Sequence, residues 1–184
     1  MKNIFADLDC SLVYDLKGST HGRKANRVGG KPVGALKDLD WIEARHKFKL
    51  DKGLQSFISQ VLESDVSYLQ SINIMDYSLI LGIQPIPPSN PDHYIQHLTR
   101  PEDSQDAYKN GVKKAIHNRF RGGTIANDKS CIYGFGIIDI YTLYSGKKKT
   151  EHFIKTIIHG SGISSVNPEV YGARFRSFIS STFG

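Results

Sequence analysis

Hydrophobic and polar residues follow strand-like or helix-like spacing in several stretches of the chain, and these patterns predict its main elements. Residues 11–16 alternate between polar and apolar side chains and predict a strand. Residues 53–70 predict an amphipathic helix, whose buried stripe would consist of Leu54, Phe57, Ile58, Val61 and Leu62. The Ser64-Asp65 pair predicts the cap of a second short helix.

Two apolar runs and one capping signal continue the pattern towards the C-terminus. The run SLILGI at 78–83 and the β-branched, aromatic stretch at 131–141 each predict a strand. The NPE stretch at 167–169 predicts a helix start, because asparagine caps, proline suits the first helical position and an acid suits the positive end of the dipole. The buried stripe of that helix would be Tyr171, Phe175 and Phe178. Strands and helices mix without a βαβ rhythm, so the sequence predicts an α+β fold.

The remaining stretches are typical of loops. Residues 18–36 hold five glycines and one proline, and residues 85–92 are rich in turn residues. Residues 99–130 are polar, basic and glycine-bearing, and we expect them to be a mobile excursion from the core. Residues 145–165 are polar with a lysine cluster and predict a further loop.

Composition narrows the class of protein. A chain of 184 residues with 39% hydrophobic residues fits one domain, or a large piece of one. We find no apolar run near the ~18 residues that a membrane span needs, and MKNIFADLD lacks the apolar region of a signal peptide. The two cysteines, Cys10 and Cys131, have no metal-ligand spacing and fit a reducing compartment. These features predict a cytoplasmic protein.

The net charge of +6 is concentrated in two C-terminal segments. Residues 109–129 carry six Lys/Arg and one Asp, and residues 145–176 carry six Lys/Arg and two Glu. Such a distribution indicates either a solvated basic surface or a polyanionic partner: nucleic acid, an anionic membrane or phosphorylated small molecules. Nucleic acid is the weakest of these, because only Tyr108 and Phe120 interleave aromatics with the basic residues 109–129.

Two aspartates beside apolar strands are candidates for chemistry. Asp76 precedes the 78–83 strand, and Asp139 lies at the end of FGIID. Each could merely cap a local turn, since a carboxylate among apolar residues needs hydrogen-bond donors or a positive partner. As a pair they would suit phosphoryl transfer, where one carboxylate orients the attacking hydroxyl and another holds the Mg²⁺ on the nucleotide phosphates.

Basic residues near these acids suit phosphate oxygens. Lys17 precedes a Gly-Ser turn that would let backbone and hydroxyl groups approach a phosphate, and Arg23 could add a two-pronged contact. Each signal is weak alone, since such residues are mostly surface residues. The lysine cluster 147–149, eight to ten residues past Asp139, could hold the chain to an anionic bilayer or be a solvated run.

Taken together, the motifs resemble the phosphatidylinositol phosphate kinase family. YDLKGSTHGR, LKDLDW, NIMDYSLILGI, FGIIDIY, KKTEHFIKT and ISSVNPEVYGARFRSFI occur in family order and cover most of the chain outside roughly 85–130. The resemblance implies a protein-kinase-like C-terminal lobe and ATP- and Mg²⁺-dependent phosphorylation of a phosphoinositide ring hydroxyl. It also implies an anionic membrane partner at the cytosolic face and no nucleic acid; it says nothing of oligomeric state.

The family pattern also assigns roles to single residues. It implies that Asp76 is the catalytic acid, that Asp139 is the metal ligand, and that Lys17 reaches the phosphates, with Arg23 matching the arginine after the GST turn. MKNIF resembles the family hinge, so the nucleotide base would be bordered by Lys2, Asn3, Ile4 and Ile80. Val13 departs from the pattern, since some members carry a basic residue there, and this puts one nucleotide contact in doubt.

The segment after Asp139 resembles the family's activation loop. Within it, Lys148, Lys149 and Glu151 would meet substrate and membrane, and the acid at 151 favours phosphatidylinositol 4-phosphate as substrate. NPEVY resembles the 5-phosphate-using branch instead. We favour the 4-phosphate, because the loop acid lies nearer the chemistry.

The resemblance divides the chain into a hinge at 1–6, a catalytic core at 7–84, a variable insertion at 85–130 and a C-terminal part at 131–184. No stretch ahead of YDLKGS resembles the family's glycine-rich loop or ATP-binding lysine, so the N-terminal lobe is expected to be absent. Two functions stay open: the catalytic lobe of a lipid kinase, or a non-catalytic module that binds phosphoinositide membranes.

Overall fold

The structure is a computed structural model and describes residue 5 and residues 8–98, 119–120, 123–144 and 167–183. Its strands and helices, in chain order, are β1 (Leu12–Leu16), β2 (Arg27–Val28), β3 (Lys31–Pro32), α1 (Asp38–Ala44), α2 (Lys52–Ser71), β4 (Ser78–Pro85), α3 (Pro91–Leu98), β5 (Arg119–Phe120), β6 (Gly123–Ile125), β7 (Cys131–Ile138) and α4 (Pro168–Phe183). The mixture of helices and antiparallel strands confirms a mixed α and β fold.

A five-stranded sheet of order β1-β4-β7-β6-β5 forms the centre of the fold, and each neighbouring pair is antiparallel. The hairpin of β2 and β3 stands apart from it as a separate two-stranded sheet. Because side chains alternate across a strand, Leu79 and Leu81 of β4 point into the main core while Ile80 and Gly82 lie on the opposite face. The strands predicted at 11–16 and 78–83 are confirmed.

The main core lies between one face of the sheet and helices α2 and α4. Asp51 caps α2 by accepting a hydrogen bond from the Leu54 N–H at 2.9 Å. The buried residues of α2 are Leu54, Ile58, Leu62, Val66 and Leu69. Phe57 and Val61 are exposed, so their predicted place in the buried stripe is wrong. The predicted second helix at Ser64-Asp65 is also wrong, because the buried stripe continues past it in one helix.

Helix α4 begins as predicted. The Asn167 side chain accepts a hydrogen bond from the Val170 N–H at 2.8 Å, and Pro168 is the first helical residue. Tyr171 and Phe175 are fully buried, and the stripe continues through Ile179 and Phe183. Phe178 is only half-buried, because it lies at the edge of the helix face that meets Gly18.

A smaller core covers part of the second face of the sheet. It contains Leu8, Ile86, Ile125 and Ile132, with Phe5 packed against it. Ile125 belongs to β6, which pairs with β7, and Ala126 is also buried. The expectation of a peripheral excursion at 99–130 is therefore wrong for residues 123–126. No strand was predicted there, because β6 has only three residues and too short a pattern to detect.

The described part of the chain contains no helix that is both long enough and apolar enough to cross a membrane.

Candidate active site

Lys17 and Asp76 form an ion pair at one end of the sheet. Lys17 directly follows β1, and its ammonium donates to the Asp76 carbonyl at 2.6 Å and to Asp76 Oδ1 at 2.8 Å. The two side chains are 13% and 29% exposed, so the pair is shielded from bulk water on most sides. Asp76 accepts two hydrogen bonds from one cation, and its position relative to β1 is therefore fixed.

Asp38 holds the backbone of the Lys17-Gly18-Ser19 turn. Its Oδ1 accepts the Lys17 N–H at 3.0 Å and the Ser19 N–H at 3.2 Å. Asp38 is 2% exposed and is the first residue of α1, where the positive end of the helix dipole favours a carboxylate. Helix α1 thus supplies the acceptor that shapes the turn from which Lys17 reaches Asp76.

Gly18 lets this turn lie directly against α4. Its φ is +64°, and a Cβ at this position would come 2.9 Å from Phe178 Cβ and 3.4 Å from the Arg174 carbonyl oxygen. Any larger residue would combine backbone strain with a steric clash. The Gly-Ser turn predicted as a phosphate approach is therefore also a packing contact with α4.

Arg23 binds carboxylates of the protein itself. Its Nε donates to Asp38 Oδ2 at 2.8 Å, and its terminal NH2 donates to the Asp15 carbonyl and to Asp15 Oδ1. The Arg23 side chain is 11% exposed. Burial acts to lower the pKa of Arg23, but hydrogen bonds and charges from Asp38 and Asp15 outweigh it and raise the pKa. The guanidinium thus fixes β1 to α1, and the two-pronged phosphate contact by Arg23 stays a prediction.

Strand pairing brings Asp76 and Asp139 to the same place. Ser78, two residues after Asp76, pairs with Ile138, the residue before Asp139. On the far side of the two acids, Ile74 bridges Leu143. Asp76 and Asp139 therefore lie on adjacent chain segments that are paired both before and after them, although 63 residues separate them in the sequence.

Both aspartates have left-handed backbone conformations. The φ of Asp76 is 65° and that of Asp139 is 61°, where residues other than glycine are uncommon. Between the two paired positions, one segment has three residues and the other has four, so the backbones must bulge. Such conformations concentrate at functional sites, where the surrounding structure holds them in place.

Asp139 differs from Asp76 in its surroundings. Its side chain is exposed, and the described residues give it no hydrogen bond or ion pair. Among those same residues no cluster of three or more acidic, histidine or cysteine side chains could hold a metal by itself. Mg²⁺ in nucleotide sites uses one or two carboxylates with phosphate oxygens and water as further ligands. The exposed carboxylate of Asp139 fits that donor set.

Aromatic residues support the segment that carries Asp76. The Tyr171 hydroxyl donates to the Tyr77 carbonyl, and the two rings meet edge-on with centroids 4.7 Å apart. Burial raises the pKa of Tyr77 to about 12 and raises that of Tyr171 further. Both phenols are therefore neutral at physiological pH. The positive charge that α4 brings to this region comes from Arg174, which lies 4.9 Å from the centre of the Tyr171 ring and interacts electrostatically with Asp76.

Ile80 lies on the sheet face opposite the main core, where it pairs with Asp15 and Gly136. Phe5 covers the same face two residues further along β4, since a Cβ on Gly82 would come 2.6 Å from Phe5 Cε1. Ile80 and Phe5 thus share one side of the sheet. Residues predicted to border the nucleotide, namely Lys2, Asn3 and Ile4, lie outside the described residues, as do Lys148, Lys149 and Glu151 of the predicted substrate loop.

Two functional contributors escaped the sequence interpretation. Asp38 sits in the LKDLDW motif, where an acid in the first turn of a helix signals only favourable helix-dipole interactions. Tyr171 was predicted to be buried, but its hydrogen bond to Tyr77 depends on a contact across 94 residues. Neither partner could be chosen without the tertiary structure.

Comparison with known proteins adds independent information. The family model described as "Phosphatidylinositol-4-phosphate 5-Kinase" matches residues 1–182. Phosphatidylinositol 5-phosphate 4-kinase type-2 alpha of Mus musculus is 31% identical over 205 residues, which covers 97% of this chain and 51% of the relative. The type-2 gamma protein of Homo sapiens is 32% identical over 219 residues, which covers 100% of this chain and 52% of that relative. The chain spans about half the length of the curated relatives it matches.

Proposed function

Since the chain belongs to the phosphatidylinositol phosphate kinase family, we propose that it positions a phosphoinositide hydroxyl and a metal ion for phosphoryl transfer from ATP. The observation that carries this proposal is the meeting of Asp76, ion-paired with Lys17, and exposed Asp139 on adjacent strand ends. Phosphoryl transfer depends mainly on positioning and on charge stabilisation, and these residues supply both.

Asp76 is proposed to orient the attacking hydroxyl. Its Oδ1 accepts from Lys17, whereas its Oδ2 accepts no hydrogen bond from the described residues. A carboxylate held on one oxygen can accept the substrate hydroxyl proton with the other. Lys17 keeps that carboxylate in place and brings positive charge to the site where phosphate oxygens would lie.

Asp139 is proposed to hold Mg²⁺. Its carboxylate is exposed at the end of β7, next to the segment that carries Asp76. A metal ion held there would supply positive charge that offsets the charge of the nucleotide phosphates. The left-handed backbone of Asp139 fixes where the carboxylate emerges from the strand.

The described residues support a kinase-like C-terminal lobe as the architecture. We place the nucleotide base on the Ile80 face of the sheet, bordered by Lys2, Asn3 and Ile4. The hinge at 1–6 and the core at 7–84 stay as proposed. The insertion is proposed to end before Arg119, since β5 and β6 join the central sheet.

The proposed substrate is phosphatidylinositol 4-phosphate, on the basis of Glu151 in the predicted activation loop. The relatives named above are 5-phosphate 4-kinases, which makes phosphatidylinositol 5-phosphate the second candidate. Lys148 and Lys149 are proposed to contact the anionic membrane that carries either lipid. Replacing Glu151 with alanine should shift the preference between the two lipids if this acid sets it.

The test is transfer of labelled γ-phosphate from ATP to each lipid in mixed micelles, with the product isomer identified. The protein is the 184-residue chain and the same chain preceded by the N-terminal lobe of a family member. Asp76→Asn and Asp139→Asn should abolish transfer, whereas Asp92→Asn, at an exposed ion pair with Lys129, should not. A folded two-lobe protein that binds phosphoinositide vesicles but transfers no phosphate would support the non-catalytic module instead.

A further inference from the structure

The β2–β3 hairpin projects from the body of the protein. Its strands are joined by Gly29 and Gly30, with φ values of +57° and +79°. Two positive φ values in succession match the two-residue turn whose twist suits a hairpin. Added Cβ atoms at either glycine would meet nothing within 4 Å, so the tip is surrounded by open space.

The hairpin has one face towards α1 and one face away from it. Arg27 pairs with Pro32, and its guanidinium reaches Asp40 Oδ1 of α1 at 2.9 Å, which defines the inner face. Val28 and Val33 belong to the outer face, because residues adjacent to Arg27 and Pro32 point the other way. They are 73% and 58% exposed, the two largest values among the exposed apolar residues near this hairpin.

The base of the hairpin is firmly attached. Asp40, 5% exposed, accepts the Ala25 N–H at 2.8 Å in addition to the Arg27 guanidinium. Lys24 pairs with Glu43 of the same helix. The outer face is thus presented by a hairpin that is fixed at its base.

The charged residues of the hairpin and its flanks are all positive. Residues 24–37 contain four Lys/Arg and no Asp or Glu. The acids that face it, Asp40 and Glu43, are already engaged by Arg27 and Lys24 on the inner side. Lys31 pairs with Val28 in the hairpin register and shares the outer face with both valines. The outer face therefore combines exposed apolar side chains with an exposed cation.

We propose that this outer face docks on an anionic lipid surface, with Val28 and Val33 in the headgroup–acyl boundary and Lys31 among lipid phosphates. Apolar side chains beside cations are the combination by which surface-bound segments enter that boundary. The contact lies on a segment other than the lysine cluster 147–149 and uses neither nucleotide nor turnover, so it stands independently of phosphoryl transfer.

A partner peptide that adds a strand fits this hairpin less well. Each strand has only two residues, Pro32 has no N–H to donate, and the Val33 N–H is already bound to the Asn26 carbonyl at 2.8 Å. Strand addition draws its affinity from a row of free backbone groups, which the hairpin does not offer.

The first experiment measures binding of the 184-residue chain to vesicles by sedimentation, without ATP. Vesicles contain phosphatidylcholine alone or with phosphatidylserine. We expect binding only to the anionic vesicles. Val28→Thr with Val33→Thr should weaken it about tenfold, since threonine keeps the β-branched shape and loses apolar area. Lys31→Gln should weaken it about fivefold. Val170→Thr is the matched control, because Val170 is also exposed, at 50%, on α4.

The second experiment tests insertion directly. Val28→Trp and, as control, Val170→Trp each add a tryptophan to the buried Trp41, and quenching by lipids with brominated acyl chains is measured. Quenching of the added fluorophore at 28 and not at 170 supports the proposal. Unchanged binding of the double threonine variant, or equal quenching at both positions, overturns it. Concentration-dependent dimerisation that this variant loses, with vesicle binding intact, would assign the face to a second copy of the chain. Kinase activity in micelles, which needs no docking, reports separately on the proposed function.

Discussion

The ammonium of Lys17 donates both to the carbonyl and to the carboxylate of Asp76, 59 residues further along the chain. One side chain therefore links the end of β1 to the segment before β4. Lys17→Met should remove this link and leave the Asp76 carboxylate without its cation. We expect phosphate transfer by the two-lobe protein to fall on the order of 10²–10³-fold, as for loss of one positioning charge. The rate of phosphate transfer is measured by single-turnover kinetics. Full activity of the Lys17→Met variant would contradict the role assigned to Lys17.

Asp139→Asn should separate catalysis from stability. Asparagine adopts left-handed backbone conformations readily, and Asp139 is exposed, so the free energy of unfolding should change by about 0.5 kcal/mol or less. Lipid phosphorylation should nevertheless be lost, because a neutral amide is a poor Mg²⁺ ligand. Urea unfolding and the transfer assay are run on the same preparation. An active Asn variant would remove Asp139 from the proposed metal site.

Gly18→Ala should destabilise the fold more than Gly22→Ala. Both glycines have a φ of +64°, but a Cβ at Gly18 meets Phe178 whereas one at Gly22 meets nothing within 4 Å. The backbone strain, about 1 kcal/mol, is common to both variants. The steric clash should add about 1–2 kcal/mol at Gly18 alone. Equal loss of stability in urea titrations would show that the turn can move away from α4.

Asp38→Asn should be costly because three donors converge on that carboxylate. Arg23 keeps its contact with Asp15 in this variant. We therefore expect the free energy of unfolding to fall by about 2–3 kcal/mol, slightly less than when one partner of an isolated buried ion pair is removed. Asp92→Asn, at an exposed ion pair, should change the free energy of unfolding by less than about 1 kcal/mol. Indistinguishable unfolding curves for the two variants would argue against a structural role for Asp38.

Protonation of Asp40 should make the protein less stable in acid. Burial acts to raise the pKa of Asp40, but hydrogen bonds from Ala25, Lys37 and Arg27 outweigh it and lower the pKa below its ordinary value of 3.8. A carboxyl with a depressed folded-state pKa stabilises above its unfolded pKa, and this contribution is lost as pH falls through the folded-state pKa. Between pH 6 and pH 3, wild type should lose more stability than Asp40→Asn. Asp65→Asn, on the exposed side of α2, should behave like wild type.

Local patterns predicted the long elements well and the short ones poorly. The period of two in β1 and the capping residue Asn167 of α4 correspond to elements that the structure confirms. Phe57 and Val61 were misassigned because a helical stripe can be drawn on either side of Leu54 and Ile58, and only packing against α4 decides.

The residues of the candidate site were also only partly predictable from sequence. Lys17, Asp76 and Asp139 could be selected from sequence, since each is a charged residue at the end of an apolar strand. The contacts of Arg23 with Asp38 and Asp15 could not be predicted, because a guanidinium suits phosphates and carboxylates equally and the nearest acids are chosen by the fold. The roles of the first three stay predictions until transfer is measured.

The pairing of β4 with β7 also has a consequence for folding. Asp76 and Asp139 are positioned by backbone register between strands that are distant in sequence, and Lys17 comes from a third strand, β1. Such long-range pairing forms late, after the entropy of closing long loops has been overcome. No partly folded chain that lacks the sheet can hold the three charges together. We therefore expect the amide protons of Ile80 and Gly136, a cross-strand pair of β4 and β7, to exchange only through global unfolding, so that the site is as persistent as the fold itself.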